Sequence, residues 1–223
     1  MALEYRTMQE IVYEKIRDAI LGGQYSPGQR LVAEELARIL GVSRMPVREA
    51  LHRLESTGLV DSTPHRGTVV SELSEEEIVE IYHIRAVLEG LAARLAAPQL
   101  TPRDHAQIRT ILAEMSRAEQ ARDVQCFLTL NREFHEVIWK AGRAPRLLEL
   151  LENLYATSQR FRSISLYLPG RLHQVAEEHR RMAAELERGD VVAAERTANE
   201  HHENTASRLL KSIEEKRVHH EQA

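Results

Sequence analysis

The sequence is poor in the residues that build disulfides, large sheets and membrane spans. Its 223 residues include one cysteine, Cys126, which excludes an internal disulfide and a zinc site made of several cysteines. Aromatic residues make up 4% of the chain, too few to favour a large sheet. No apolar run approaches the roughly 18 residues of a transmembrane helix, and the start lacks the basic and apolar regions of a signal peptide. We expect a cytoplasmic chain that neither spans nor crosses a membrane.

Helix-forming residues are abundant, and the charged residues are unevenly distributed. Ala, Leu, Glu and Arg dominate, which favours helices. The first 70 residues hold nine basic and nine acidic side chains, so the net charge of −4 arises entirely in the rest of the chain. Nine of the eleven histidines also lie beyond residue 70. These differences, with a length that allows two small domains, indicate two parts with different chemistry.

The apolar periodicity of the first part predicts three helices followed by a short ribbon. Apolar residues recur at helical spacing in 8–21, 32–40 and 44–57, and glycines follow the first two stretches. Two short β-prone runs, 58–60 and 67–70, flank a basic tip. We therefore predict a winged helix-turn-helix domain over residues 1–72.

The remainder is predicted to be an all-helical bundle. Ser74 and the three glutamates after it are typical of a helix start. Short connections at proline and glycine positions predict antiparallel neighbours over residues 73–215, followed by a polar tail over 216–223. The predicted helices are 75–97, 102–121, 124–141, 145–166, 171–188 and 190–214. The fold class is thus mainly α.

The third predicted helix has the features of a DNA-reading helix. Arg44 and Arg48 are spaced i and i+4 on the face opposite the apolar stripe, so that both guanidinium groups can reach base edges or phosphates. The alternative is that they are solvated surface charges. Counting the helix cap and the wing tip, the candidate DNA contacts are Ser43, Arg44, Arg48, Arg53, His65, Arg66 and Gly67.

Three histidines in the second part have the spacing of a shared metal site. Asn131 and His135 lie at i and i+4, and His179 interrupts an apolar stripe. A hairpin turn at residues 189–190 brings His179 and His201 to the same level, ~15 Å from the turn at 1.5 Å per residue. Such a ligand set favours Zn²⁺ or Ni²⁺ over Mn²⁺, which prefers more oxygen ligands. His202 competes with His201 for this role, and ordinary core histidines are the alternative.

Arg85 is the other unusual residue of the second part. It lies on the flank of an apolar arc of its helix. A buried guanidinium group needs a partner. That partner is either an internal glutamate or the carboxylate of a ligand.

Two stretches resemble known bacterial regulators. The segment LARILGVSRMPVREALHRLESTGLV, residues 36–60, closely resembles the winged-helix domain of the GntR family. The motifs IYHIRAVLEG at 81–90 and NREFH at 131–135, with Glu178-His179 and His201, resemble the FCD effector domain of the FadR subfamily. Together the two resemblances cover nearly the whole chain.

The resemblance implies specific roles for these residues. The arginines matching Arg44 and Arg48 contact the operator, and the wing residues lie in or near the minor groove. In many FCD domains an aspartate and three histidines hold a divalent metal, which helps to bind a small carboxylate together with an arginine matching Arg85. Asn131 stands in the place of that aspartate.

The expected function is a ligand-responsive transcription regulator and not an enzyme. We expect a homodimer on a palindromic operator, acting as a repressor that a small carboxylate releases. One alternative is a metal-dependent hydrolase or lyase with an attached DNA-binding module. Such an enzyme would need a general base beside the metal, but Glu133, two residues before His135, points largely away from the ligand face. Another alternative is that the histidines only stabilise the fold, and that a metal-free pocket binds the effector.

Overall fold

The computed structural model describes residues 7–63, 67–72 and 74–221, and it is mainly helical. The described part contains ten α-helices and three short strands. In chain order they are α1 (Met8–Leu21), β1 (Arg30–Leu31), α2 (Ala33–Leu40), α3 (Arg44–Ser56), β2 (Val60–Thr63), β3 (Gly67–Val70), α4 (Glu75–Ala96), α5 (Pro102–Ala121), α6 (Val124–Ala141), α7 (Pro145–Thr157), α8 (Gln159–Tyr167), α9 (Arg171–Arg188) and α10 (Val191–Glu221).

The chain divides into two compact units. Unit 1 contains residues up to Ser74 together with Gln159–Ile164, and unit 2 contains Glu75–Ser158 and the chain from Ser165 onward. The domain limits predicted from the sequence, 1–72 and 73–215, differ from this division at residues 73–74 and in the assignment of 159–164.

Unit 1 is a three-helix arrangement with a small antiparallel sheet. Its core is made by residues of α1 and α3 such as Val12, Ile16, Val47 and Leu54, each at most 2% exposed. The strand order is β1-β3-β2, with β3 in the middle. The predicted winged helix-turn-helix is confirmed, but the sheet has three strands because β1 adds an edge to the predicted ribbon.

Unit 2 is a helical bundle whose core lies between α4, α5, α6, α9 and α10. Phe127, Phe134 and Met115 are completely buried in it. The segment 145–166, predicted as one helix, is interrupted at Ser158 between α7 and α8. The last helix continues to Glu221, through most of the predicted tail. Among the described residues, no helix is both long and apolar enough to cross a bilayer.

Candidate functional site

Three histidines from three helices of unit 2 converge in its interior. His135 lies on α6, His179 on α9 and His201 on α10, and each is at most 5% exposed. One ring nitrogen of each lies within 4.8 Å of the others. Their ring centroids are separated by 4.8–5.4 Å. The structure therefore brings together the three histidines of the predicted set, including the pair His179 and His201 that the hairpin spacing placed at the same level.

His179 is held at this point by packing and not by hydrogen bonds. Its ring stacks on Phe134 with 4.3 Å between centroids, and neither ring nitrogen has a hydrogen-bond partner among the described residues. Burial, reinforced by the neighbouring His201 and His135, holds the pKa of His179 well below its usual value. The neutral imidazole that results is the form that binds a metal ion.

A buried carboxylate, Glu89 of α4, borders the histidines. Its Oε2 lies 2.8 Å from His135 Nδ1 and accepts a hydrogen bond from Trp139 Nε1 at 3.3 Å. Its Oε1 accepts from Arg85 and lies 3.0 Å from His202 Nε2. Burial opposes ionisation of this carboxyl, but the adjacent His202, Arg85 and His135 hold its pKa well below the usual range.

Arg85 pairs with an internal glutamate, which is one of the two partners expected from the sequence. Its Nε and Nη2 donate to Glu89 Oε1 at 3.0 and 2.7 Å, and its Nη1 donates to Ser158 Oγ at 3.2 Å. Burial works against the charge, but Glu89 more than compensates, so the pKa of Arg85 is raised. Glu89 was not among the residues predicted from the sequence, although its i+4 spacing from Arg85 was a usable signal.

A second buried carboxylate, Glu178 of α9, contacts His201. Its Oε2 lies 2.7 Å from His201 Nδ1, and Arg171 donates to both of its oxygens at 2.8 and 3.0 Å. Asn204 Nδ2 donates to Oε1 at 3.1 Å. Burial raises the pKa of Glu178, but His201 and Arg171 outweigh it and lower the pKa to about 2. Glu178 was also not predicted as a functional residue.

Asn131 lies one helical turn before His135 and is buried. Its Nδ2 donates to the Tyr155 hydroxyl at 3.3 Å. Its assignment as a fourth metal ligand stays a prediction.

His202 belongs to a different neighbourhood from His201. It groups with Glu89 and His135, whereas His201 groups with His135 and His179. Burial, the largest influence, holds the pKa of both histidines below the usual value. The geometry therefore favours His201 over His202 as the partner of His179.

The residues present suit a late divalent cation. Three buried imidazoles face one another, and at least one nitrogen of His135 and both nitrogens of His179 lack a hydrogen-bond partner. A buried polar atom without a partner is costly, and coordination to a cation removes that cost. Three protein ligands are the usual contribution to an open zinc site, and a set of three histidines is one of the known combinations.

The predicted DNA contacts on α3 and at its N-cap are exposed. Arg44 and Arg48 are exposed, and Arg44 approaches Glu34 of α2 at 3.7 Å. Ser43 is the N-cap residue of α3, but its side chain makes no capping hydrogen bond. The Arg53 guanidinium lies 4.2 Å from the centroid of the Tyr13 ring, which holds it against α1.

The wing is described only in part. His65 and Arg66 lie outside the described residues, so their predicted contacts stay predictions. Gly67 begins β3 with φ of +76°, a conformation that favours glycine. A Cβ atom at this position would lie 3.3 Å from Arg30 Nε.

Comparison with known proteins identifies both parts. Residues 8–70 match the family model "Bacterial regulatory proteins, gntR family", and residues 80–204 match the model "FCD domain". The chain belongs to the GntR family. It is a DNA-binding transcription regulator of the GntR type with an FCD domain.

Several regulators are similar to this GntR-family chain. The HTH-type transcriptional regulator McbR of Escherichia coli is 36% identical over 133 residues, 60% of each chain. The probable D-xylose utilization operon transcriptional repressor of Paenarthrobacter nicotinovorans is 32% identical over 90% of this chain and 89% of that protein. The solved structure of E. coli McbR/YncC superimposes with a TM-score of 0.61 at 27% identity, covering 93% and 99% of the two chains.

Proposed function

We propose that this GntR-family regulator is a homodimeric repressor whose FCD domain binds a small carboxylate through a divalent metal ion. The observation that carries the proposal is the meeting of three buried histidines, one of which has no hydrogen-bond partner at either nitrogen. Two relatives, one from Paenarthrobacter nicotinovorans and the other RspR of E. coli, are named as repressors, which supports repression here. A cytoplasmic location accords with this role.

The metal would be held by His135, His179 and His201, with the Asn131 amide oxygen as a fourth candidate. A bound cation would supply positive charge and an open coordination position for a carboxylate. Because the donors are neutral imidazoles and an amide, Zn²⁺ and Ni²⁺ suit the site better than Mn²⁺.

The charges of the surrounding residues explain why an anionic effector would need this cation. Arg85 is paired with Glu89, and Arg171 is paired with Glu178. The formal charges of these buried pairs cancel, and the low pKa of His179 favours its neutral form. The positive charge that attracts an anionic effector would therefore come from the metal. Arg85 would be a second contact if the effector carboxylate displaces Glu89 from it.

An apolar stripe on α4 supports the homodimer. Ile84, Val87, Leu91 and Leu95 share one face of the helix, and each is 37–66% exposed. Apolar patches of this kind mark protein interfaces. A second copy of the chain is the expected occupant, since a palindromic operator requires two DNA-binding units.

A thermal-shift series on chelator-treated protein tests the metal-dependent sensor. Zn²⁺ or Ni²⁺ should raise the melting temperature, because a ligand that binds only the folded state stabilises it. One member of a panel of small carboxylates should add a further shift only when metal is present, and should then release DNA selected by the protein from a random library. An equal carboxylate shift in the presence of chelator would instead indicate a metal-free pocket.

A further inference from the structure

Two histidines of the cluster are supported by the same arrangement of side chains. In the first, Arg85 binds Glu89, whose other oxygen lies 2.8 Å from His135 Nδ1. In the second, Arg171 binds Glu178, whose Oε2 lies 2.7 Å from His201 Nδ1. We call these two sets the Arg–Glu–His relays.

The relays are buried throughout. The six side chains are between 1% and 6% exposed. A carboxylate oxygen can only accept a hydrogen bond, so the contacts of 2.8 and 2.7 Å place a proton on Nδ1 of each ring, the nitrogen that faces the carboxylate. The lone pair of each ring then belongs to Nε2, and in His135 this Nε2 is the nitrogen without a hydrogen-bond partner.

The grouping of Glu89, His135 and His202 resembles a second metal site, but its carboxylate is already fully engaged. Glu89 receives two hydrogen bonds from Arg85 and one from Trp139 in addition to its contact with His135. A cation there would be close to the buried Arg85 charge and would take away its partner, which is strongly unfavourable. This group therefore serves as support for the histidine cluster.

We propose that the Arg–Glu–His relays are positioning devices that fix the Nδ1–H tautomer and the ring orientation of His135 and His201, so that each presents Nε2 to a single metal position. The part that concerns the metal rests on the proposed function, whereas the tautomers are a property of the metal-free chain. His179 has no such carboxylate, so the relays orient two of the three ligands. Glu89 and Glu178 are thus positioning residues that act through the histidines.

The tautomers can be measured directly in the unaltered full-length protein. Long-range ¹H–¹⁵N correlation spectra of the metal-free chain, recorded at about pH 8 where an ordinary histidine is neutral, distinguish the two tautomers of each ring. The expected result is a protonated Nδ1 in both His135 and His201. A protonated Nε2 in either ring would overturn the proposal, whether or not metal binds.

Zinc titration of Glu89→Gln and Glu178→Gln tests the positioning role. Each variant should bind zinc roughly 10–100-fold more weakly, the usual effect of losing a carboxylate behind a metal-bound histidine. Glu119→Gln is a matched control, because Glu119 contacts His173 and Arg180 in a similar but only partly buried arrangement on α5 and α9. The control should bind zinc as the parent does, with one ion per chain.

The other outcomes separate the two proposals. Unchanged zinc affinity in folded Glu89→Gln and Glu178→Gln, or two zinc ions per chain, would overturn the positioning role. If the parent binds no zinc or nickel but both rings carry the Nδ1 proton, the metal part of the proposed function fails and the relays stand as the determinant of ring orientation.

Discussion

At the scale of single residues, His179 is the most diagnostic position of unit 2. A buried imidazole with two unsatisfied nitrogens contributes little to the stability of the metal-free fold, because its desolvation is uncompensated. A ligand that binds one of these nitrogens would compensate the desolvation, which gives a physical reason for a histidine at this position. The same logic separates His179 from His135 and His201, whose Nδ1 atoms already face carboxylates.

We predict that His179→Ala will remove most of the metal while leaving unit 1 folded. Zinc affinity should fall at least tenfold, about 1.4 kcal/mol or more of binding free energy, because one of three nitrogen ligands is lost. The measurements are metal content by elemental analysis and the zinc-dependent thermal shift. Normal metal occupancy in the purified variant would remove His179 from the site.

We predict that Arg48→Ala will weaken specific DNA binding without changing the oligomeric state. An arginine that contacts a guanine or a phosphate contributes about 1–3 kcal/mol, so the affinity for selected DNA should fall roughly 10–100-fold. Arg117→Ala, which removes an equally exposed arginine from α5 of unit 2, is the control. Equal gel-shift affinities for the two variants would reject the contact role of Arg48.

At the scale of secondary-structure elements, α4 and α10 pack closely at Gly90. A Cβ placed there would lie 1.8 Å from Asn199 Oδ1. In the amide orientation that satisfies its hydrogen bonds, Asn199 donates to the backbone carbonyls of Ala86 and Glu195 at 2.7 and 3.2 Å. The missing side chain of Gly90 therefore makes room for a hydrogen bond between the two helices.

We predict that Gly90→Ala will lower the free energy of unfolding. Alanine gains about 1 kcal/mol in helix propensity, but overpacking a tight contact typically costs 1–3 kcal/mol, and displacing Asn199 also sacrifices its interhelical bond. Denaturant unfolding of Gly90→Ala and of the double variant with Asn199→Ala checks this. The double variant should recover part of the loss, and a stabilised Gly90→Ala would contradict the steric argument.

Elements with a strong local signal could be predicted from the sequence, and those fixed by tertiary contacts could not. The ends of α2 and α9 follow from Gly41 and Gly189, which adopt the left-handed conformation that closes a helix. The two-residue strand β1 has no periodicity of its own and exists only by pairing with β3. The break between α7 and α8 at Ser158 also lacks the glycine or proline that marked other breaks.

The same distinction applies to the site. The spacing of His179 and His201 about a glycine turn was sufficient to predict that they meet. Glu89 and Glu178 were missed because glutamates are common on helices, and only the packing of α4 against α6 and of α9 against α10 shows which ones face a histidine.

At the scale of the whole molecule, the proposed homodimer needs a contact surface, and α4 offers one. Its stripe of Ile84, Val87, Leu91 and Leu95 is the exposed apolar face of a helix whose other side holds Arg85 and Glu89 of the first relay. A dimer built on α4 would therefore place the interface on the same helix as the effector-site residues. A shift of that helix on effector binding could then change the placement of the two DNA-binding units.

We predict that Leu91→Glu will convert the dimer to a monomer and thereby weaken DNA binding. Burying a carboxylate in an apolar interface without a partner is strongly unfavourable, and the monomer loses the second half-site, which contributes roughly 100-fold or more in apparent affinity. Val192→Glu, at a 74% exposed apolar position on α10 outside the stripe, is the matched control. Sedimentation velocity and titration of palindromic and half-site DNA should show a monomer with equal affinity for both sites in Leu91→Glu and a dimer that prefers the palindrome in the control. A dimeric Leu91→Glu would move the interface away from α4 and remove the proposed connection between effector site and subunit contact.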